Sequence, residues 1–80
     1  MNIENYKNSS LEELFVFIDI IKNKGDLVLI KIDGERETDE ITIVISYPSD
    51  LERDPIRHNG TKIRETLFKA LHSYFLENGI

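Results

Sequence analysis

Five side chains able to carry positive charge fall between positions 53 and 64 of an otherwise acidic chain: Arg53, Arg57, His58, Lys62 and Arg64. They bracket Asn59-Gly60-Thr61, where a last helix is expected to begin. A helix N-terminus offers open N–H groups and a positive dipole end, so the chemistry implied is anion binding. Gly60 would let a phosphate approach the backbone, and Arg57, Lys62 and Arg64 would supply charge. The spacing does not follow a phosphate-loop motif. Asp50, Glu52, Asp54 and Glu65 are interleaved with the cations. The competing outcome is therefore a solvated loop of exposed ion pairs, each of little energetic weight.

A second constellation has the opposite sign. Asp33, Glu35, Glu37, Asp39 and Glu40 crowd one short stretch, offset only by Arg36. Carboxylates this dense can bind calcium or meet a basic partner surface. Glycine stands second in the run, not sixth as in an EF-hand loop, so no metal is expected. The stretch reads as a solvated hairpin tip that can serve as an acidic docking surface.

The histidines suggest less. A general base needs a positioned partner and a substrate pocket. His58 lies in the basic stretch and His72 on the polar border of the last helix, and neither has a legible Ser or Cys nucleophile. No catalytic residue and no cofactor is assigned. Phe15, Phe17, Phe68, Tyr74 and Phe75 recur at helical spacing, which suits a core better than a base-stacking sheet.

The elements that would position these groups are well punctuated. Ser9 and Ser10 each precede a Glu by three residues, a capping box in either register. The helix it starts should run to about Lys24 and stop at Gly25. Leu11, Leu14, Phe15, Ile18 and Ile21 share one face, with Phe17 at its border. Val16 and Ile20 lie roughly opposite, so this helix is apolar on more than one side. Strands are expected over 26–32 and 40–47. Val28, Ile30 and Ile32 face one way on the first, and Ile41, Ile43, Ile45 and Tyr47 on the second. Leu27, Leu29 and Lys31, with Thr42, Val44 and Ser46, face the other way. Asp33-Gly34 favours a turn between them, and Pro48 ends the second strand. Residues 48–60 are irregular. A short third strand near 52–57 fits only as an edge, because of Pro55. The last helix should begin near Gly60 or Thr61 and reach Asn78, burying Ile63, Leu67, Ala70, Leu71, Tyr74 and Phe75.

The fold expected is α+β: two layers in the order α-β-β-α, an antiparallel β-hairpin with room for a short third strand, packed against two helices. All 80 residues make one domain, with 1–8 a flexible arm from which Ile3 and Tyr6 can tuck inward. The element order resembles the double-stranded-RNA-binding domain, which also brackets a sheet with helices. That family has three strands and a lysine-rich start to its last helix. Here the corresponding stretch is Gly60-Thr61-Lys62-Ile63-Arg64-Glu65, with one lysine, and the resemblance stops at element order.

Composition narrows the function classes. The formal charge is −5 and there is no cysteine, which removes disulfides and thiolate metal sites and fits a reducing compartment. The polar first ten residues do not resemble a signal peptide, and no apolar run spans a bilayer. A cytoplasmic protein with no membrane partner is the expectation. A net negative chain is repelled by nucleic acid at long range, which argues against that partner. A lone hairpin leaves apolar surface exposed, so a homodimer is expected, with Val16, Ile20 and Val44 as interface candidates. The function that emerges is a small non-enzymatic protein-binding protein of inhibitor, immunity or adaptor type, acting on another protein through a charge-polarised surface. The alternative is a phosphate-ligand or nucleic-acid-binding module using the basic loop and the start of the last helix.

Overall fold

The structure, a computed structural model, describes residues 3–79. It is an α+β fold with a three-stranded antiparallel sheet and two helices packed on it. A 3-10 turn (η1, Ile3–Tyr6) precedes α1 (Leu11–Asn23), then β1 (Leu27–Ile32), β2 (Ile41–Ser46), β3 (Ile56–Gly60) and α2 (Ile63–Glu77). The sheet is a simple meander, β1-β2-β3. Its shortest dimension, 17 Å between Cα extremes, is that of one helical layer on one sheet.

Local chemistry explains the boundaries. Ser10 caps α1 with a complete box: Glu13 N donates to Ser10 Oγ at 3.2 Å and Ser10 N donates to Glu13 Oε1 at 3.2 Å. Gly25 follows the helix at φ 86°, the left-handed turn that frees the chain to enter β1. Asp33 N donates to Glu40 O at 2.8 Å and closes the β1–β2 connection one step beyond the strands. The ladder thus gains a single extra rung before the polar hairpin tip.

The third strand exists, displaced from where the residues alone put it. It starts immediately after Pro55 and takes up residues 56–60. Pro55 lies outside the ladder and β3 is an edge, as proline requires. The consequence is a later start for α2, whose N-cap is Lys62 with no side-chain hydrogen bond.

The core lies between the helices and one sheet face. Ile41, Ile43, Ile45 and Tyr47 are buried beneath Leu14, Phe17 and Ile21 of α1 and Leu67, Ala70, Leu71, Tyr74 and Phe75 of α2. Phe15, expected on the core face of α1, is 42% exposed, while Phe17 is 2% exposed. The helix is rotated toward Phe17 because Tyr6 and Phe75 meet that ring edge-on, at 4.8 and 5.3 Å between centroids. The segment read as an arm is tied down over its described part: Ile3 is 5% exposed, and Arg64 Nη1 donates to the carbonyls of Lys7 and Ser9. Met1 and Asn2 lie outside the described residues.

Candidate interaction surface

The period of a strand decides where the expected basic cluster goes. Arg57 pairs with Val44 and His58 with Ile43 on the neighbouring strand. Successive side chains of β3 point to opposite faces, so Arg57 projects from the uncovered face while His58 turns toward α2. There His58 Nε2 lies 3.0 Å from Ser73 Oγ. Burial first, and the charge of Lys69 second, push the His58 pKa below its usual value. The remaining members scatter further. Arg53 sits at the far end of α2, where its guanidinium covers the Tyr47 ring at 3.6 Å and bonds Glu77 at 2.9 Å. Arg64 is occupied with the N-terminal segment. Lys62 is exposed at the α2 start.

Lys62 does line an open cleft of about 420 Å³ with Asn59, Gly60, Thr61, Thr66 and Lys69. Asp39 and Glu65 line it too. Two carboxylates beside two ammonium groups leave little net field for an anion. A polyphosphate docking here would meet Asp39 of the β1–β2 loop in the same cleft. The lysine-rich helix start of the double-stranded-RNA-binding domain has no counterpart, although the third strand now matches that domain's strand number.

The acidic stretch forms the loop between β1 and β2. Glu35, Glu37 and Asp39 are exposed, and Asp33 and Glu40 are half-buried at the loop base. Asp33 Oδ1 accepts from Glu35 N at 3.0 Å, a local turn. Among the described residues no three His, Cys, Asp or Glu side chains converge as a metal site would need.

The His58–Ser73 pair is a contact that sequence spacing cannot reveal, since fifteen positions separate the two. It resembles the start of a nucleophile–base arrangement. Ser73, however, sits inside α2, where neighbouring N–H groups are spent on helix bonds and cannot stabilise an oxyanion. The pair serves to fasten β3 to α2.

The remaining feature is the bare side of the sheet. Cross-strand rows on it read Leu29–Val44–Arg57, Lys31–Thr42–Asn59, and Leu27 beside Ser46. Leu27 and Leu29 are each 54% exposed, and Val44 is half-buried. Thr42 Oγ1 donates to Asn59 Oδ1 at 2.8 Å, which fixes the polar end of the patch. An apolar centre flanked by Lys31 and Arg57 is thus displayed on a chain of net charge −5. Of the other expected interface residues, Val16 is 58% exposed and lines an apolar groove with Tyr6, Glu13 and Phe17, and Ile20 is half-buried. No helix among the described residues is long and apolar enough to cross a membrane. No protein-family model, curated protein or solved structure matches the chain.

Proposed function

We propose that this chain is a non-enzymatic protein-binding module whose contact surface is the uncovered sheet face. The observation that carries the reading is the row Leu29–Val44–Arg57 with Leu27 beside it, held on a sheet whose other side buries Ile41, Ile43 and Ile45 under the helices. A contiguous apolar patch on a small monomer, rimmed by polar side chains, marks an interaction site. Its two cations suit a partner with an apolar centre and an acidic rim. The acidic loop 33–40 lies at one end of the same sheet and adds a field of opposite sign, which favours one orientation of the partner over its reverse. Inhibitor, immunity and adaptor proteins work through rigid patches of this kind, and that last step is one of analogy.

The test uses the intact chain as bait, beside Arg57→Glu and Val44→Lys. Both changes lie on the bare face and away from the core. A protein retained by the wild-type chain and lost from both variants, with titration of the purified pair giving at least about tenfold weaker binding for each, supports the reading. Equal retention by all three baits refutes it. So does binding of an oligonucleotide that weakens steeply with salt and survives both substitutions.

A further inference from the structure

We propose that the free edge of β1 is a self-association site and that two copies of this chain join there, about a two-fold axis, into one continuous sheet. The backbone sets the register. In an antiparallel pair, residues alternate between exchanging hydrogen bonds with the neighbour and pointing them away. Asp33 bonds Glu40, so with the observed pairing Lys31, Leu29 and Leu27 also direct their N–H and C=O groups toward β2. The groups of Val28, Ile30 and Ile32 therefore point outward, with no strand beyond them in the sheet.

Three alternating residues with outward donors and acceptors make a self-complementary edge. Centring the axis on Ile30 pairs Ile30 with its own copy and Val28 with Ile32 of the other chain, each exchanging both backbone bonds. Side chains then match by face. On the helix side, Ile32, now 65% exposed beyond the cover of α1, meets Val28 of the other copy. On the bare side, Leu29 lies opposite Lys31, whose stem can cover it while the ammonium stays in water. The other edge is less suited, because β3 follows Pro55 and carries Arg57, His58 and Asn59.

The helical layer agrees. α1 packs on β1 and α2 on β2 and β3, so α1 lies on the β1 side of the molecule. Phe17 turns toward Tyr6 and Phe75. Phe15 stands about 200° round the helix from it, on the flank turned away from α2, and is 42% exposed. Two such flanks meet across the axis. A stable interface needs roughly 800 Å² from each partner. One strand edge and one helix flank make a small contact by that standard, so dissociation is expected within reach of a micromolar-to-millimolar titration.

Sedimentation of the intact chain from about 5 µM to about 1 mM should show the mass rising from 9.3 kDa toward twice that value. Ile32→Pro removes an outward N–H together with the side chain that meets Val28 of the other copy, spares the hydrogen bonds of the β1–β2 ladder, and should weaken association at least about tenfold at unchanged circular dichroism. The chain has no cysteine, so Ile30→Cys supplies a second reading independent of that variant's folding. It should form a disulfide-linked dimer on mild oxidation, and Val16→Cys should not. A 9.3 kDa mass throughout overturns the proposal. Cross-linking through Leu29→Cys in preference to Ile30→Cys overturns the register. Arg57→Glu, on the bare face of β3 and away from the β1 edge, should leave the dimer intact, which separates this proposal from the protein-binding one.

Discussion

Gly60 is the position at which a single methyl group should do the most damage. A Cβ built there would stand 2.1 Å from Thr66 Oγ1 and 3.3 Å from Thr66 Cβ. Thr66 cannot easily swing aside. It is 3% exposed, its β-branched side chain has few rotamers, and its hydroxyl donates to Lys62 O at 2.7 Å. Either β3 or the first turn of α2 must shift. Overpacking of this kind costs about 1–3 kcal/mol, so Gly60→Ala should lose about 2 kcal/mol. A domain of this size holds only about 3–5 kcal/mol in total, and a loss of that order lowers Tm by roughly 10 °C. Thr66→Ala alone should cost about 1 kcal/mol, through the hydroxyl bond and the buried methyl. The double variant should be less destabilised than the sum by about 1 kcal/mol or more, because removing Oγ1 and the methyl opens the space the new Cβ requires. Urea unfolding followed by circular dichroism measures all three. Additive losses, or Gly60→Ala within about 0.5 kcal/mol of the parent, would refute the close approach of β3 to α2 on which the argument rests.

Other perturbations test other joints. Ser10→Ala should cost about 1 kcal/mol in urea unfolding, because Glu13 N loses its cap. Arg64→Ala unties the Lys7 and Ser9 carbonyls and should speed amide exchange in residues 3–9 while leaving the strands protected. The Tyr74 hydroxyl is held well above its usual pKa by burial first and by its 2.6 Å bond to Asp26 second. Its contribution is present below the unfolded pKa of about 10 and is lost as pH rises beyond it, so Tm should fall from pH 9 to pH 11 more steeply for the wild type than for Tyr74→Phe. His58 has the reverse sign: its lowered pKa makes its contribution present above about 6.5 and lost as pH falls. His58→Gln should flatten the drop in stability between about pH 7 and pH 5, and an unchanged profile would count against that assignment.

Much of the frame was legible because it rests on local chemistry. Ser10 and Glu13 mark a helix start by side-chain reach alone, and Gly25 and Gly79 mark the stops by positive φ, at 86° and 68°. The alternation of Ile41, Ile43 and Ile45 identifies the inner face of β2 with no knowledge of what covers it. What local pattern could not supply is choice among neighbours. Phe15 and Phe17 are equally greasy, and only contact with Tyr6 and Phe75 decides which one is buried. The third strand was hard to place for a related reason. Residues 56–60 contain one aliphatic and three polar side chains, and they are a strand because β2 offers the outward groups of Ile41, Ile43 and Ile45 to pair with. Strand identity here is conferred by the partner and not by propensity.

The same distinction governs the candidate site. Four cations and a histidine close in sequence look like one site only while residues 48–60 are read as irregular and run straight into the last helix. Once five of those positions become a strand, alternation separates Arg57 from His58, and the chain's rise carries Arg53 and Arg64 to opposite ends of α2, where each has a structural task. The uncovered face arises from the same rule acting in the opposite sense. Leu27 and Leu29 sit two apart, as do Val28 and Ile30, so β1 is apolar on both sides and one helical layer can satisfy only one of them. A strand that is apolar on both faces belongs in the middle of an assembly, yet β1 lies at the margin of its sheet with one face bare. Under the two proposals, covering that face and extending that edge are separate requirements, each with its own partner. A variant that abolishes self-association through Ile32 should therefore still bind through Arg57 and Val44, and loss of both activities from Ile32→Pro at unchanged fold would show that the two surfaces are one.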